Sequence, residues 1–296
     1  MPNSKQRRDA ARRHLERQMV RRQQRASRRR QLNLIATVIG VVVLVAIVAV
    51  TTVMLRHDNK SSTANAASST SPSASASASP SSTAAPLPSR AAPAIKARAA
   101  KKTSGPCGYA EDKTKLTAGN LFDVGLPPDP RPTPTADKVA VFATNQGTIT
   151  VTLDGKNAPC NVQSIEYLIS KKFYDNTACP RSVNSGIFVV QCGDPTATTA
   201  GGPTYNTKDE NLAKASYTAG TLAMANSGPN TNGSQFFFIT KDSNGALGKN
   251  YTVIGHVTGG LSILQKVAAG GDDGSNQAGG GKPNIPLYFT TVRLKA

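Results

Sequence analysis

The chain has 296 residues, 35 Lys+Arg against 17 Asp+Glu for a formal net charge of +18, four cysteines and three histidines. That is length for one or two domains. The basic excess is local: residues 1–31 hold twelve Lys/Arg against Asp9 and Glu16, residues 56–102 hold seven against Asp58, and everything from Thr103 onward is close to neutral, so nucleic acid is not an expected partner of the C-terminal part.

Residues 1–33 form a basic tail, "SKQRRDAARRHLERQMVRRQQRASRRRQ" at its centre, expected to turn helical on a partner. An anionic membrane surface suits it, at about 1 kcal/mol per basic residue near the headgroups; an Arg-rich arm also suits RNA. The next stretch, "LIATVIGVVVLVAIVAVTTVML" at 34–55, carries no charge. As a helix it would be roughly 33 Å long, enough to span a hydrocarbon core. A buried core helix would need a polar stripe, which is missing. A cleaved signal peptide would be shorter, although "ANA" at 64–66 resembles a cleavage site. The reading taken is a single-pass signal anchor with its N-terminus cytoplasmic and everything after it exported, because Lys and Arg crowd the preceding flank.

Residues 56–105 are Ser, Ala, Thr and Pro with scattered lysine and arginine. They have almost nothing to bury and are expected to be a disordered tether of roughly 40 Å typical span. An extended lead-in, 106–137, follows. All four cysteines, Cys107, Cys160, Cys179 and Cys192, lie beyond the apolar run. In an oxidising compartment they predict two disulfides, with three connectivities open. No two are close in sequence and one histidine lies nearby, so no metal is expected.

From 138 to 296 the pattern becomes short strands. "VAVFAT" and "TITVTL" around "NQG" predict a β-hairpin, and "NAPCNVQSIEYLISKK" at 157–172 predicts a helix from Val162, Ile165, Leu168 and Ile169. Strands are expected at 186–192, 220–225, 235–240, 251–257 and 286–294, with a second short helix at 261–268. Many strands and two helices in about 160 residues argue for a mainly β fold. The expectation is a closed antiparallel barrel with helices covering its ends.

The chemistry is bounded by what is missing. His14 and His57 precede the domain, leaving His256, and no zinc-protease, serine-hydrolase, Walker or dinucleotide motif is present. Such a domain is a binder, or an enzyme whose reaction transfers no proton.

"MANSGPNTNGSQFFFIT" at 224–240 resembles the signature of the cyclophilin-type peptidyl-prolyl cis–trans isomerases. The resemblance extends through "FYDNTACPRSVNSGIFVVQCGDPTATTAGGPTY" upstream and "YTVIGHVTGGLSILQKV" downstream, so the chain looks like a membrane-anchored, actinobacterial-like member. The resemblance implies an eight-stranded barrel with two helices, no cofactor, a monomeric domain and proline-containing polypeptides as partners. It places the catalytic arginine at Arg181. It places the substrate-binding positions at Phe188, Val189, Gln191, Ala225, Asn226, Gln235, Phe237, Leu247 and Tyr251. Phe236 and Phe238, which flank Phe237, are expected on the opposite face as core.

There are departures. Cys179-Pro180 stands where the family has Phe-His, and two extra residues in "SVNSG" separate Arg181 from Phe188. Ala246 replaces the tryptophan of cyclosporin-sensitive members, so weak binding of that drug is expected. Tyr251 replaces a histidine, Val189 a methionine and Cys192 a glycine. The disulfides are expected between Cys160 and Cys179 and between Cys107 and Cys192. The functional reading is accelerated X–Pro rotation in exported or envelope proteins. The alternatives are a non-catalytic proline-peptide or chaperone module on the same fold, or a membrane or RNA scaffold residing in the basic tail.

Overall fold

A computed structural model describes residues 87–295 except 114, 115, 117 and 130–136. The basic tail, the apolar run 34–55 and most of the linker lie outside the described residues. Among those described, no helix is long and apolar enough to cross a membrane.

In chain order the elements begin with two short lead-in strands, β1 (Ala110–Glu111) and β2 (Leu121–Phe122). The hairpin β3 (Lys138–Thr144) and β4 (Gly147–Leu153) and helix α1 (Pro159–Ser170) follow. Next come β5 (Thr177–Ala178), β6 (Arg181–Ser185), β7 (Ile187–Cys192), β8 (Gly202–Pro203) and β9 (Tyr205–Asn206). The last are β10 (Thr221–Met224), β11 (Phe236–Ile239), β12 (Val253–Gly259), α2 (Leu261–Ala269) and β13 (Tyr288–Leu294).

Nine strands form one antiparallel sheet in the order β5-β13-β3-β4-β12-β10-β11-β7-β6. The expected closed eight-stranded barrel is corrected here: the sheet curls into a half-barrel, and its outermost strands β5 and β6 do not pair with each other. They are consecutive in the chain, separated by Cys179-Pro180, and proline has no N–H with which to continue a ladder.

Alternation along β3 and β4 buries Ala140, Phe142, Ile149, Val151 and Leu153. Around Phe142 gather Phe289 at 5.1 Å, Phe236 at 5.9 Å and Phe238 at 6.0 Å between ring centroids. Helix α1 starts on Pro159, whose missing N–H costs nothing in the first turn. It buries Val162, Ile165, Leu168 and Ile169. The carboxylate of Glu210 accepts from the Cys160 and Asn161 N–H groups at 3.1 and 2.9 Å, at the positive end of the helix dipole.

The lead-in is fastened to the segment carrying β8 and β9, in two small two-stranded sheets separate from the large one. β1 pairs with β9, and β2 lies parallel to β8. Residues 87–105, expected as the end of a disordered tether, lie against the domain because their long cations find partners. The Arg90 guanidinium sits 5.3 Å from the Phe122 ring centroid and 5.8 Å from that of Phe173. Arg98 donates to Glu111 and to Asp123, each at 2.7 Å.

The disulfides also differ from expectation: Cys107 bonds Cys160, and Cys179 bonds Cys192. The start of α1 faces the lead-in, where the Tyr109 hydroxyl donates to the Cys160 carbonyl at 2.8 Å. Cys179 meets Cys192 because β6 folds back on β7. A sequence-distance argument carries neither relation.

Candidate active site

β6 and β7 bring Arg181 directly opposite Gln191. Arg181 Nη1 donates to Gln191 Oε1 at 2.9 Å, and Gln191 Nε2 donates to Gln235 Oε1 at 2.8 Å. Gln235 Nε2 ends the relay on the carbonyls of Thr199 (3.1 Å) and Gly201 (2.9 Å). Those two carbonyls set the orientation of both amides, since each glutamine must turn its oxygen toward the incoming donor.

The loop that supplies the carbonyls is built around buried Asp194. Its carboxylate accepts from the Thr196 N–H at 2.7 Å and the Thr198 N–H at 3.0 Å. Thr199 follows at φ 66°, a backbone region unfavourable for a β-branched residue. The lead-in braces the same loop: Asn120 Nδ2 donates to the Ala200 carbonyl at 2.7 Å, and the Arg90 N–H to the Pro195 carbonyl at 2.7 Å.

Beside the relay is a slot of about 360 Å³. Arg181 and Gln191 form one side, and Ile187, Val189 and Phe237 its apolar floor. Leu247 and Tyr251 close another side, and Thr199, Ala225 and Asn226 line the remainder. The Tyr251 ring stands edge-on to Phe237 at 5.2 Å and 87°. Tyr251 is held in turn by Tyr217, whose hydroxyl donates to the Tyr251 carbonyl at 3.0 Å. Burial raises the Tyr217 phenol above its ordinary pKa, so it remains a donor.

The guanidinium of Arg181 is half-buried, and desolvation lowers its pKa from the ordinary arginine value. It stays charged nonetheless, since arginine begins so far above neutrality. Its Nε donates to the Gly279 carbonyl at 2.9 Å and its Nη2 to the Ala278 carbonyl at 3.1 Å. Three of its five N–H groups are thus engaged within the protein, leaving one on each terminal nitrogen.

Two expected site residues stand elsewhere. Phe188 is not in the slot; its ring lies 4.9 Å from Lys241 Nζ. It is three residues from Gln191 in an unbroken strand, so alternation puts the two on opposite faces. Ile187 and Val189 take the slot side. Gln235 lines an adjoining cavity of about 350 Å³ and meets the slot through Gln191, which borders both.

Comparison with known proteins gives the family. The family model for cyclophilin type peptidyl-prolyl cis-trans isomerase/CLD matches residues 139–286, half of the chain. A peptidyl-prolyl cis-trans isomerase-like 1 of Aspergillus oryzae is 40% identical over 130 residues, covering 43% of this chain and 79% of that protein. The chain belongs to the cyclophilin-type peptidyl-prolyl isomerase family. A probable peptidyl-prolyl cis-trans isomerase B of Mycobacterium leprae is 44% identical over 162 residues, 48% of this chain and 54% of that protein. The chain thus spans about half the length of that relative. A cyclophilin type peptidyl-prolyl cis-trans isomerase from Cryptosporidium parvum, solved by crystallography, superposes with a TM-score of 0.48 at 26% identity, covering 54% of this chain and 99% of that one.

Sequence reading of this cyclophilin domain missed Ile187, Thr199, Asn276 and Ala278 as slot-lining residues. Ile187 was within reach, because it shares the strand parity of Val189 and Gln191. Asn276 and Ala278 were not, because they come from a glycine-rich loop that returns to the slot only through the fold.

Proposed function

We propose that this protein accelerates cis–trans rotation of X–Pro bonds in polypeptides, with Arg181 favouring the twisted amide. The observation that carries the reading is a half-buried guanidinium beside a slot partly lined by Ile187, Val189, Phe237 and Leu247, with two N–H groups not engaged within the protein. An X–Pro bond is held planar by a barrier of about 18–20 kcal/mol. Twisting it ends the conjugation and localises a lone pair on the prolyl nitrogen. A donor set in place beforehand binds that state more strongly than either planar one, which is the requirement for catalysis. No acid or base is needed, in keeping with the scarcity of histidine.

Phe237, Val189 and Ile187 offer the prolyl ring an apolar seat. Ala225 and Asn226 stand where the residues before the proline would lie. A 10⁵-fold acceleration corresponds to about 7 kcal/mol. Two charge-assisted hydrogen bonds at about 1.5–3 kcal/mol each supply part of this, and desolvation and anchoring of the ring supply the rest.

The reading extends to location. The uncharged run 34–55, the basic tail before it and two disulfides after it favour a membrane-anchored protein whose isomerase domain works on exported or envelope chains. The tail would lie on the anionic inner leaflet.

The test is a protease-coupled isomerisation assay on the full chain in mild detergent, with an Ala-Pro tetrapeptide. Wild type should accelerate the reaction, and Arg181→Ala should lower kcat by about 10–100-fold while thermal unfolding is unchanged. Peptide binding without turnover by the wild type would instead make the domain a proline-peptide binding module.

A further inference from the structure

The stretch "GDDGSNQAGGG", residues 271–281, reads as a spacer between α2 and β13. Its hydrogen bonds describe something more specific. Asp273 Oδ1 accepts from the Ser275 N–H at 3.0 Å and from the Lys282 N–H at 2.8 Å, drawing the two ends of the loop together. The Asn276 N–H donates to the Gly280 carbonyl at 3.0 Å, and the Gly279 N–H to the Asn276 carbonyl at 2.9 Å. The loop is stitched to β6 by a pair of bonds, Ser182 N–H to the Gly281 carbonyl at 2.8 Å and Gly281 N–H to the Ser182 carbonyl at 3.1 Å. Ser182 is the residue after Arg181. The loop's tip therefore turns two carbonyls onto the arginine that precedes its own anchor.

We infer that the loop 271–281 positions the Arg181 guanidinium, through the Gly279 and Ala278 carbonyls, so that one N–H of each terminal nitrogen faces the slot. The inference rests on the reading of Arg181 given above. Gln191 by itself holds one nitrogen, Nη1, and leaves the fork free to swing about that point. Carbonyls on Nε and Nη2 fix the plane, because three contacts around a flat group define its orientation. An arginine in water samples many rotamers, and ordering its side chain costs about 2 kcal/mol. Ordering it before substrate arrives moves that cost out of the catalytic step. Main-chain carbonyls suit the task because they carry no formal charge to neutralise the guanidinium.

Substitutions at two positions test this without replacing a slot-lining residue. Gly280 lies at φ 72°, and a Cβ there would meet the Ser182 carbonyl oxygen at 2.0 Å, so Gly280→Ala must push the tip away from β6. Asp273→Ala removes the clamp at the base of the loop, and Asp273→Asn restores an acceptor. On the full chain, Gly280→Ala and Asp273→Ala should each lower kcat by about tenfold with KM within about twofold. Asp273→Asn should recover most of it. The NMR cross-peak of the Arg181 Nε–H should shift or broaden in both damaging variants. In an Arg181→Ala background Asp273→Ala should cost nothing further. An Arg181 cross-peak that stays in place in both variants, or an additive loss in the Arg181→Ala background, would overturn the inference. If the wild type shows no turnover, the reading of Arg181 falls, and the cross-peak alone decides whether the loop holds the guanidinium.

Discussion

Phe236, Phe237 and Phe238 stand side by side in β11, yet they serve two different regions. Phe236 and Phe238 face the sheet's interior, where they join Phe142, Tyr174 and Phe289 in a cluster of aromatic rings. Phe237 faces the other way, onto the slot with Val189, Leu247 and Tyr251. All three are almost fully buried, at 0%, 5% and 0% exposure in order, so burial does not separate the structural rings from the site ring. Strand parity does. The lesson is that a residue's type and depth are shared between the two faces, while its neighbours two positions away reveal which face it is on.

Substitutions on either side sharpen this contrast. Phe236→Ala opens a cavity within the aromatic cluster and should cost about 3–5 kcal/mol of stability, read from the urea midpoint, with kcat/KM per folded molecule within about twofold of wild type. An unchanged midpoint would mean that the cluster does not hold the sheet. Phe237→Ala should reverse the pattern. Losing the seat for a prolyl ring, at about 1.5–3 kcal/mol, lowers kcat/KM by about 10–100-fold, while the stability cost stays at no more than about half that of Phe236→Ala because the vacated space opens to solvent. Equal activity in both variants would dissolve the distinction between the faces.

A smaller effect is expected where charge, not apolar packing, does the holding. Glu111 lies in the lead-in with its carboxyl pKa lowered to about 2, chiefly by hydrogen bonding from Arg98 and further by the Lys101 N–H and the Thr204 hydroxyl. A carboxyl with a depressed folded pKa contributes its stability fully above its ordinary value near 4.5 and loses it as pH falls toward about 2. Amide resonances of residues 98–111 should therefore shift together between pH 4.5 and 2, ahead of those in β11. Simultaneous loss of both sets would mean that the lead-in has no separate attachment.

Much of the sheet was legible because its signals are local. The hairpin turn at Asn145-Gln146, the helix opening on Pro159 and the run ending at Leu294 all appear close to where periodicity places them. The polar strand Arg181–Ser185 was missed because "RSVNS" carries no alternation to read. The two-residue strands of the lead-in are too short to have a period at all. Of the slot's lining, Arg181, Gln191, Phe237 and Tyr251 are residues that the motif had named. Phe188 was misplaced although parity alone argues against it. The carbonyls of Ala278 and Gly279 were invisible for a different reason: every residue has a carbonyl, so main-chain acceptors leave no trace in side-chain identity. The disulfides depend on which segments fold back on which, and spacing does not contain that.

The break between β5 and β6 bears on how such a molecule tolerates unfolded company. A sheet margin with idle N–H and C=O groups recruits any extended chain as an additional strand, and proteins blunt such margins by shortening or covering them. Here one margin, β5, is two residues long, and the other, β6, is already capped at Ser182 by Gly281. On the function proposed above, a passing polypeptide would find little ladder to join, would be gripped only around its proline, and would be released without having been annexed.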